Sequence, residues 1–325
     1  MEILRVRPMK PRFVLYLAAL LLTVSIGAQN KQKEEPLLFV PQWTAQAQFA
    51  GYYVAKEKGF YDEEGIEVTI GHPNATQSSE DRIRHNMSHA TTLQLAQAIQ
   101  MINDGIPMVN LLQTSMNNSL VFISRRGKDP LEQKGAKVAI WKAGFNQLAE
   151  CLVREERLDY ELIQAANCVN LFIAGAVDAT LAMGYNEYFQ ILQSGIPITE
   201  DCVYRFKDHG YNVQEDGLYM TRTYYEKHKE QAEKFARASK RGWEYTVEHP
   251  DEALDIVMDY VRRNHIATNR IIQERMLQEI LRMMEDPDTG KREYLLRADM
   301  VEQANELMLR SNLISKPVTL EELSR

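Results

Sequence analysis

The chain has 325 residues, 45% of them hydrophobic and 26% charged, with a formal net charge of −7. That length and apolar content support a sizeable core and suggest about two compact units. The acidic balance argues against a nucleic-acid partner, and three cysteines without CxxC spacing argue against a disulfide-built scaffold.

At the N-terminus, Arg5, Arg7, Lys10 and Arg12 precede an apolar run from Phe13 to Ile26, followed by Gly27 and Ala28. This is the pattern of a secretory signal peptide over residues 1–28. The run falls short of the roughly 20 apolar residues of a bilayer span, and no other segment reaches that length. A periplasmic location is expected, with no direct membrane insertion after signal cleavage. No Cys follows the cleavage region to carry a lipid anchor. Cys151, Cys168 and Cys202 allow at most one bridge and read best as small buried residues.

The rest of the chain alternates strand and helix. PLLFV (36–40) and IEVTI (66–70) read as strands around a helix from Ala47 to Lys58 that Gly59 closes. EDRIRHNM reads as a helix, SHATT as a short strand, LQLAQAIQMIND as a helix and MVNLLQ as a strand. A second series follows NSLVFISRR: strand KVAIW, helices FNQLAECLVREERL and VNLFIAGAVDATLA, and strand CVYRF. EDGLYMT (215–221) is a strand leading into amphipathic helices that fill the chain from Tyr224. Such alternation predicts an α/β fold with parallel sheets flanked by helices.

Strand ends are where ligands of open α/β sheets collect, because helix N-termini there present free amide donors. Trp43 and Gln46 fall just past the first strand. Trp43 offers a flat apolar face, while Gln46 and Gln48 offer neutral donors and acceptors, a combination suited to a planar heteroaromatic molecule. Tyr52 and Tyr53 are adjacent, so only one of them is expected to reach a cleft. Thr92 lies between a strand and a helix and could contact a ligand or cap the helix. Gln113 ends the next strand. Beyond KVAIW, Trp141, Gly144 and Phe145 precede a helix, and Gly144 permits close backbone approach. Within YNEY, Glu187 follows an apolar run, with Tyr185 and Asn186 before it. A carboxylate there can accept two hydrogen bonds from an amidine-like edge such as that of an aminopyrimidine. His85 and His89 have helical spacing for a metal pair, but a helix end between them puts them on different elements, so no metal ligands are assigned.

The stretch WTAQAQFAGYYVAKEKGFYDEEGIEV, with KVAIWKAGF and GAVDATLAMGYNEY, resembles the NMT1/THI5-like group of periplasmic solute-binding proteins, which serve ABC importers. The resemblance runs from Pro36 to Tyr225. It implies a bilobal, type II periplasmic-binding-protein fold, with lobe one formed by residues 36–120 plus 216–325 and lobe two by 121–215. NSLVFISRR and EDGLYMT would be the hinge crossings, and the lobes would close on ligand. It also implies a small-molecule ligand of the thiamine-precursor, riboflavin or sulfonate type, an ABC transporter permease as partner and no cofactor. Tyr53 matches the family Tyr and Glu187 a family acidic position. Gln46 and Phe49 stand where pyrimidine-binding relatives often carry Asn and His.

Two other readings share this frame. One is a periplasmic sensing module that presents ligand to a membrane receptor. The other is a THI5-like pyrimidine synthase, against which stand the scattered cysteines, Phe49 and the export signal. The chain is accordingly expected not to be an enzyme.

Overall fold

A computed structural model describes residues 35–325 apart from 75, 126–128 and 143; the expected signal segment lies outside the described residues. The strands, in chain order, are β1 (Leu37–Phe39), β2 (Val68–Ile70), β3 (Thr91–Gln94), β4 (Met108–Gln113), β5 (Leu120–Ser124), β6 (Ala136–Trp141), β7 (Tyr160–Ala165), β8 (Ala179–Met183), β9 (Val203–Arg205) and β10 (Asp216–Thr221).

They form two lobes of similar plan. In the first, β1 pairs in parallel with β2, a parallel bridge from Phe39 to Ala90 leads to β3, and β10 lies antiparallel between β3 and β4. The second sheet runs β7-β6-β8-β5-β9, parallel through its first three members, with β5 antiparallel to both neighbours. Each sheet thus takes its antiparallel strand from a chain segment that has just crossed from the other. This is a bilobal type II periplasmic-binding-protein fold with crossing strands between the lobes. The crossings bond to each other: Thr114 and Ser115 N–H both donate to the Asp216 carbonyl at 3.0 Å, and Ser119 N–H donates to Glu215 Oε2 at 2.7 Å.

Most of the strands are rich in β-branched and apolar residues that bury. All six residues of β4 and all five of β5 and β8 are buried, as expected of strands covered on both faces. The helices carry ordinary end signals. Helix Ser79–Arg84 starts with a Ser78–Asp81 capping box. Helix Pro250–Arg263 has Pro at its start, Asp251 and Glu252 in its first turn and Arg262 and Arg263 in its last. Helices Ala50–Glu57 and Lys229–Glu248 cross at two glycines: a Cβ on Gly242 would lie 2.0 Å from the Gly51 carbonyl oxygen, and one on Gly51 would lie 2.3 Å from the Trp243 ring. Among the described residues no helix is long and apolar enough to cross a membrane.

Two strands were not read from the sequence. The segment VNLFIAGAVDATLA is a helix only over Cys168–Ile173; Gly175, at φ 76°, turns the chain, and Ala179–Met183 becomes a central strand. Its apolar residues satisfy helical and strand patterns alike, and pairing with β5 and β6 decides between them. The unread strand β7 is an edge strand whose residues are exposed or half-buried, so no apolar alternation marks it. Cys151, Cys168 and Cys202 are buried, and burial pushes Cys151 up to about 11 and Cys168 up to about 12.

Candidate functional site

A narrow cavity lies where the two lobes meet. The first lobe contributes Gln42, Trp43, Gln46 and Gln48, which follow the C-terminal end of β1. The second contributes Trp141 at the end of β6 with Phe145 beyond it, and Met183 at the end of β8 with Tyr185, Asn186 and Glu187 beyond it. All ten residues therefore sit at or beyond strand ends, as the topology of open α/β sheets favours. The side chains close on one another and leave about 20 Å³, the room of about one water.

Its walls are aromatic. The Trp43 ring meets Phe145 edge-on at 6.1 Å, and Trp141 meets Phe145 at 6.4 Å. Phe145 holds φ 70°, a left-handed backbone that costs a non-glycine residue energy. Asn146 fixes this turn, accepting from Trp141 N–H at 3.2 Å and donating to the Trp141 carbonyl at 2.7 Å.

Its polar groups form a relay between two carboxylates. Gln42 Nε2 and Gln48 Nε2 donate to the two oxygens of Asp216, each at 2.7 Å. Gln46 Nε2 donates to Gln48 Oε1 at 2.6 Å, and Asn186 Nδ2 reaches Gln46 Oε1 at 3.4 Å and Glu187 Oε1 at 3.3 Å. Met183 N–H donates to Glu187 Oε2 at 3.0 Å. The relay crosses from one lobe to the other at Gln46 and Asn186.

Burial dominates the acid chemistry. It lifts Glu187 to about 7 against the opposing hydrogen bond from Met183, and Asp216 to about 6 against those from Gln48 and Gln42. Glu215 rises further, through burial first and the neighbouring Asp216 charge second. Of the adjacent pair, Glu215 takes the proton first, because Asp216 receives two side-chain N–H groups and Glu215 one backbone N–H.

The sequence-named residues divide into two sets. Trp43, Gln46, Gln48, Trp141, Phe145, Tyr185, Asn186 and Glu187 line the cavity. Tyr53, Thr92, Gln113 and Gly144 lie around it. Tyr53 stacks on Tyr260 at 4.0 Å, and its hydroxyl meets His72 Nε2 at 3.1 Å. His72 Nδ1 lies 2.9 Å from the Trp43 carbonyl. A carbonyl only accepts, so Nδ1 carries the proton, and Nε2 of the neutral ring accepts from Tyr53; burial lowers the His72 pKa and keeps it neutral. Tyr53 thus braces Trp43 from behind. Thr92 Oγ1 accepts from Gln42 N–H at 3.0 Å. Gln113 Nε2 donates to the carbonyls of Ser115 and Asp216. Gly144, at φ 101°, faces Gln97 and Glu80 of the other lobe. Tyr52 packs instead on Phe39 and Trp243.

Sequence reasoning missed Gln42, His72, Met183, Glu215 and Asp216. The paired acids at the head of an apolar strand, EDGLYM, were the available signal for the last two. His85 caps the C-terminal end of helix Ser79–Arg84, while His89 stacks on Tyr224.

The NMT1/THI5-like family model matches residues 46–253. The chain is 26% identical to a formylaminopyrimidine-binding protein of Halalkalibacterium halodurans, over 85% of this chain and 87% of that one. It is 24% identical to the riboflavin-binding protein RibY of Chloroflexus aurantiacus, over 85% and 80%. Its fold matches the crystal structure of a ligand-binding component of an ABC-type import system from Staphylococcus aureus with a TM-score of 0.64, at 9% identity over 90% and 97% of the two chains.

Proposed function

The chain belongs to the NMT1/THI5-like family, and from that premise we propose that it is an extracytoplasmic solute-binding protein that captures a small heteroaromatic molecule, of the thiamine-pyrimidine-precursor kind, between its lobes and delivers it to the permease of an ABC importer. The observation that carries this reading is the composition of the cavity. Trp43, Trp141 and Phe145 offer flat apolar faces, Glu187 offers a buried acceptor, and no Lys, Arg or His stands among the described residues that line it. Such a site has nothing to neutralise a sulfonate, phosphate or carboxylate, whose burial unpaired is costly. It suits a neutral or cationic ring with N–H donors, and two relatives are named as binders of nitrogen heterocycles.

In this reading residues 36–120 plus 216–325 form lobe one and 121–215 form lobe two, and ligand closes them about the bonded crossings. On this reading the signal pattern of residues 1–28 would direct the mature protein to the periplasm, with no turnover in the cleft. Ligand-dependent thermal shifts against aminopyrimidines, flavins, alkanesulfonates and amino acids test the ligand class. Mass spectrometry of the recovered ligand tests the absence of chemistry, and small-angle scattering tests closure. Stabilisation by sulfonates or amino acids alone refutes the heteroaromatic assignment, and recovery of an altered ligand favours an enzyme.

A further inference from the structure

A carboxylate at neutral pH can only accept hydrogen bonds, whereas a carboxamide can present either its oxygen or its nitrogen to a partner. Both Gln42 and Gln48 must therefore turn Nε2 toward Asp216, as they do at 2.7 Å each. That choice propagates. Gln48 Oε1 is left to accept from Gln46 Nε2, and Gln46 Oε1 then faces Asn186 Nδ2. The other end of the relay is again a carboxylate, Glu187, which takes the same Asn186 amide. Gln42, which lines the cavity and is 4% exposed, keeps its Oε1 buried with no hydrogen-bond partner among the described residues. A buried acceptor without a donor is costly, and an incoming N–H group relieves it.

We infer that Asp216 is the positioning residue that fixes the donor–acceptor polarity of the cleft, and so selects ligands that bring N–H donors over isosteres that lack them. This rests on the cavity being the ligand site. Asp216 also anchors the hinge, because its carbonyl accepts from Thr114 N–H, Ser115 N–H, Thr114 Oγ1 and Gln113 Nε2. Its side chain and backbone thus join the amide relay to the crossing between lobes. Gly217 next to it admits no side chain: a Cβ there would lie 2.5 Å from Gln113 Oε1.

The test compares the parent with Asp216→Asn, which keeps the shape but offers a donor as well as an acceptor, so that Gln42 and Gln48 can turn over. The probes are 4-amino-2-methylpyrimidine and 2,4-dimethylpyrimidine, which differ by one amino group for one methyl. Calorimetry is expected to give the parent a preference of about tenfold or more for the amino probe, and the folded variant a preference of at most about threefold. A second arm needs no ligand: the Gln42 and Gln48 side-chain amide protons are expected to exchange slowly in the parent and to lose protection in Asp216→Ala. If the parent binds neither probe but the protection behaves as expected, the ligand class fails and the role of Asp216 stands. An undiminished preference in folded Asp216→Asn, or protection unchanged in Asp216→Ala, overturns the inference.

Discussion

The backbone N–H of Met183 donates to Oε2 of Glu187 at 3.0 Å, so the last residue of β8 holds the carboxylate that opens the next helix. The other oxygen faces Asn186 Nδ2 at 3.3 Å. Glu187→Gln keeps one acceptor and turns the second into a donor that confronts a donor. A mismatched buried polar group costs roughly 1–3 kcal/mol, so affinity for 4-amino-2-methylpyrimidine is expected to fall by about one to two decades. Affinity for 2,4-dimethylpyrimidine is expected to change little. Calorimetric titration of both proteins with both probes checks this, and parent-like values throughout, with the fold intact, remove Glu187 from the site.

The same burial gives the stability a definite dependence on pH. Glu187 stands at about 7 and Asp216 at about 6, above the ordinary 4.5 and 3.8. Between those limits the native state holds protons that the unfolded chain has released, so stability falls as pH rises. The contribution is complete below the ordinary values and gone above the folded ones. Asp286 and Asp299, held low by Thr289 and by Arg297 respectively, act with the opposite sign only on acidification below 3.8, whereas His72, lowered by burial, opposes the trend below its ordinary 6.5 as one group against the two raised carboxylates. Thermal melts are expected to show a lower midpoint at about pH 8 than at about pH 5, with a shallower slope in Glu187→Gln. A midpoint that climbs across this window contradicts the assignment.

What the sequence made legible was the periodic part of the molecule. β4 is six consecutive buried residues and was read with the same limits, because a mostly apolar run bounded by Pro107 and a polar stretch reads as a buried strand even with Asn110 and Gln113 in it. The residues that gather at the cavity were found where they follow strand ends, as Trp43, Trp141 and Glu187 do. Asp216 was hidden because an acid beside another acid at the start of a strand looks like a solvated corner; only the fold shows the two glutamines that cover it. His72 was equally silent, since its partners Trp43 and Tyr53 are 29 and 19 residues away in the chain. Strand β8 was lost to a helix because local pattern cannot reveal which neighbours a segment will pair with.

The glycine crossing sets two effects in opposition. In an exposed helix, Gly→Ala gains about 1 kcal/mol from backbone propensity. At Gly242 the new Cβ would sit 2.0 Å from the Gly51 carbonyl oxygen and 2.7 Å from the Ala55 Cβ, and neither neighbour can yield without the two helices separating. Overpacking of this kind costs about 1–3 kcal/mol or more, so steric cost wins and Gly242→Ala is expected to be destabilised. Chemical denaturation measures it; a variant as stable as the parent would mean that the helices cross less tightly.

Trp43 separates stacking from hydrogen bonding in the same cleft. Its ring is half-buried against the edge of Phe145, and its carbonyl is pinned by His72, so the ring can be removed without dislodging the loop. Trp43→Ala takes away an aromatic face that contributes through area and ring geometry, on the order of 0.5–1.5 kcal/mol beyond simple burial. Because both pyrimidine probes present the same ring, their affinities are expected to fall together by about tenfold, leaving the preference for the amino group as in the parent. Glu187→Gln does the reverse, lowering affinity for one probe and sparing the other. Calorimetry with the two variants and two probes gives four numbers with a distinct pattern. If Trp43→Ala abolished the amino preference while Glu187→Gln left it untouched, the aromatic wall and the carboxylate would have to exchange the roles assigned to them.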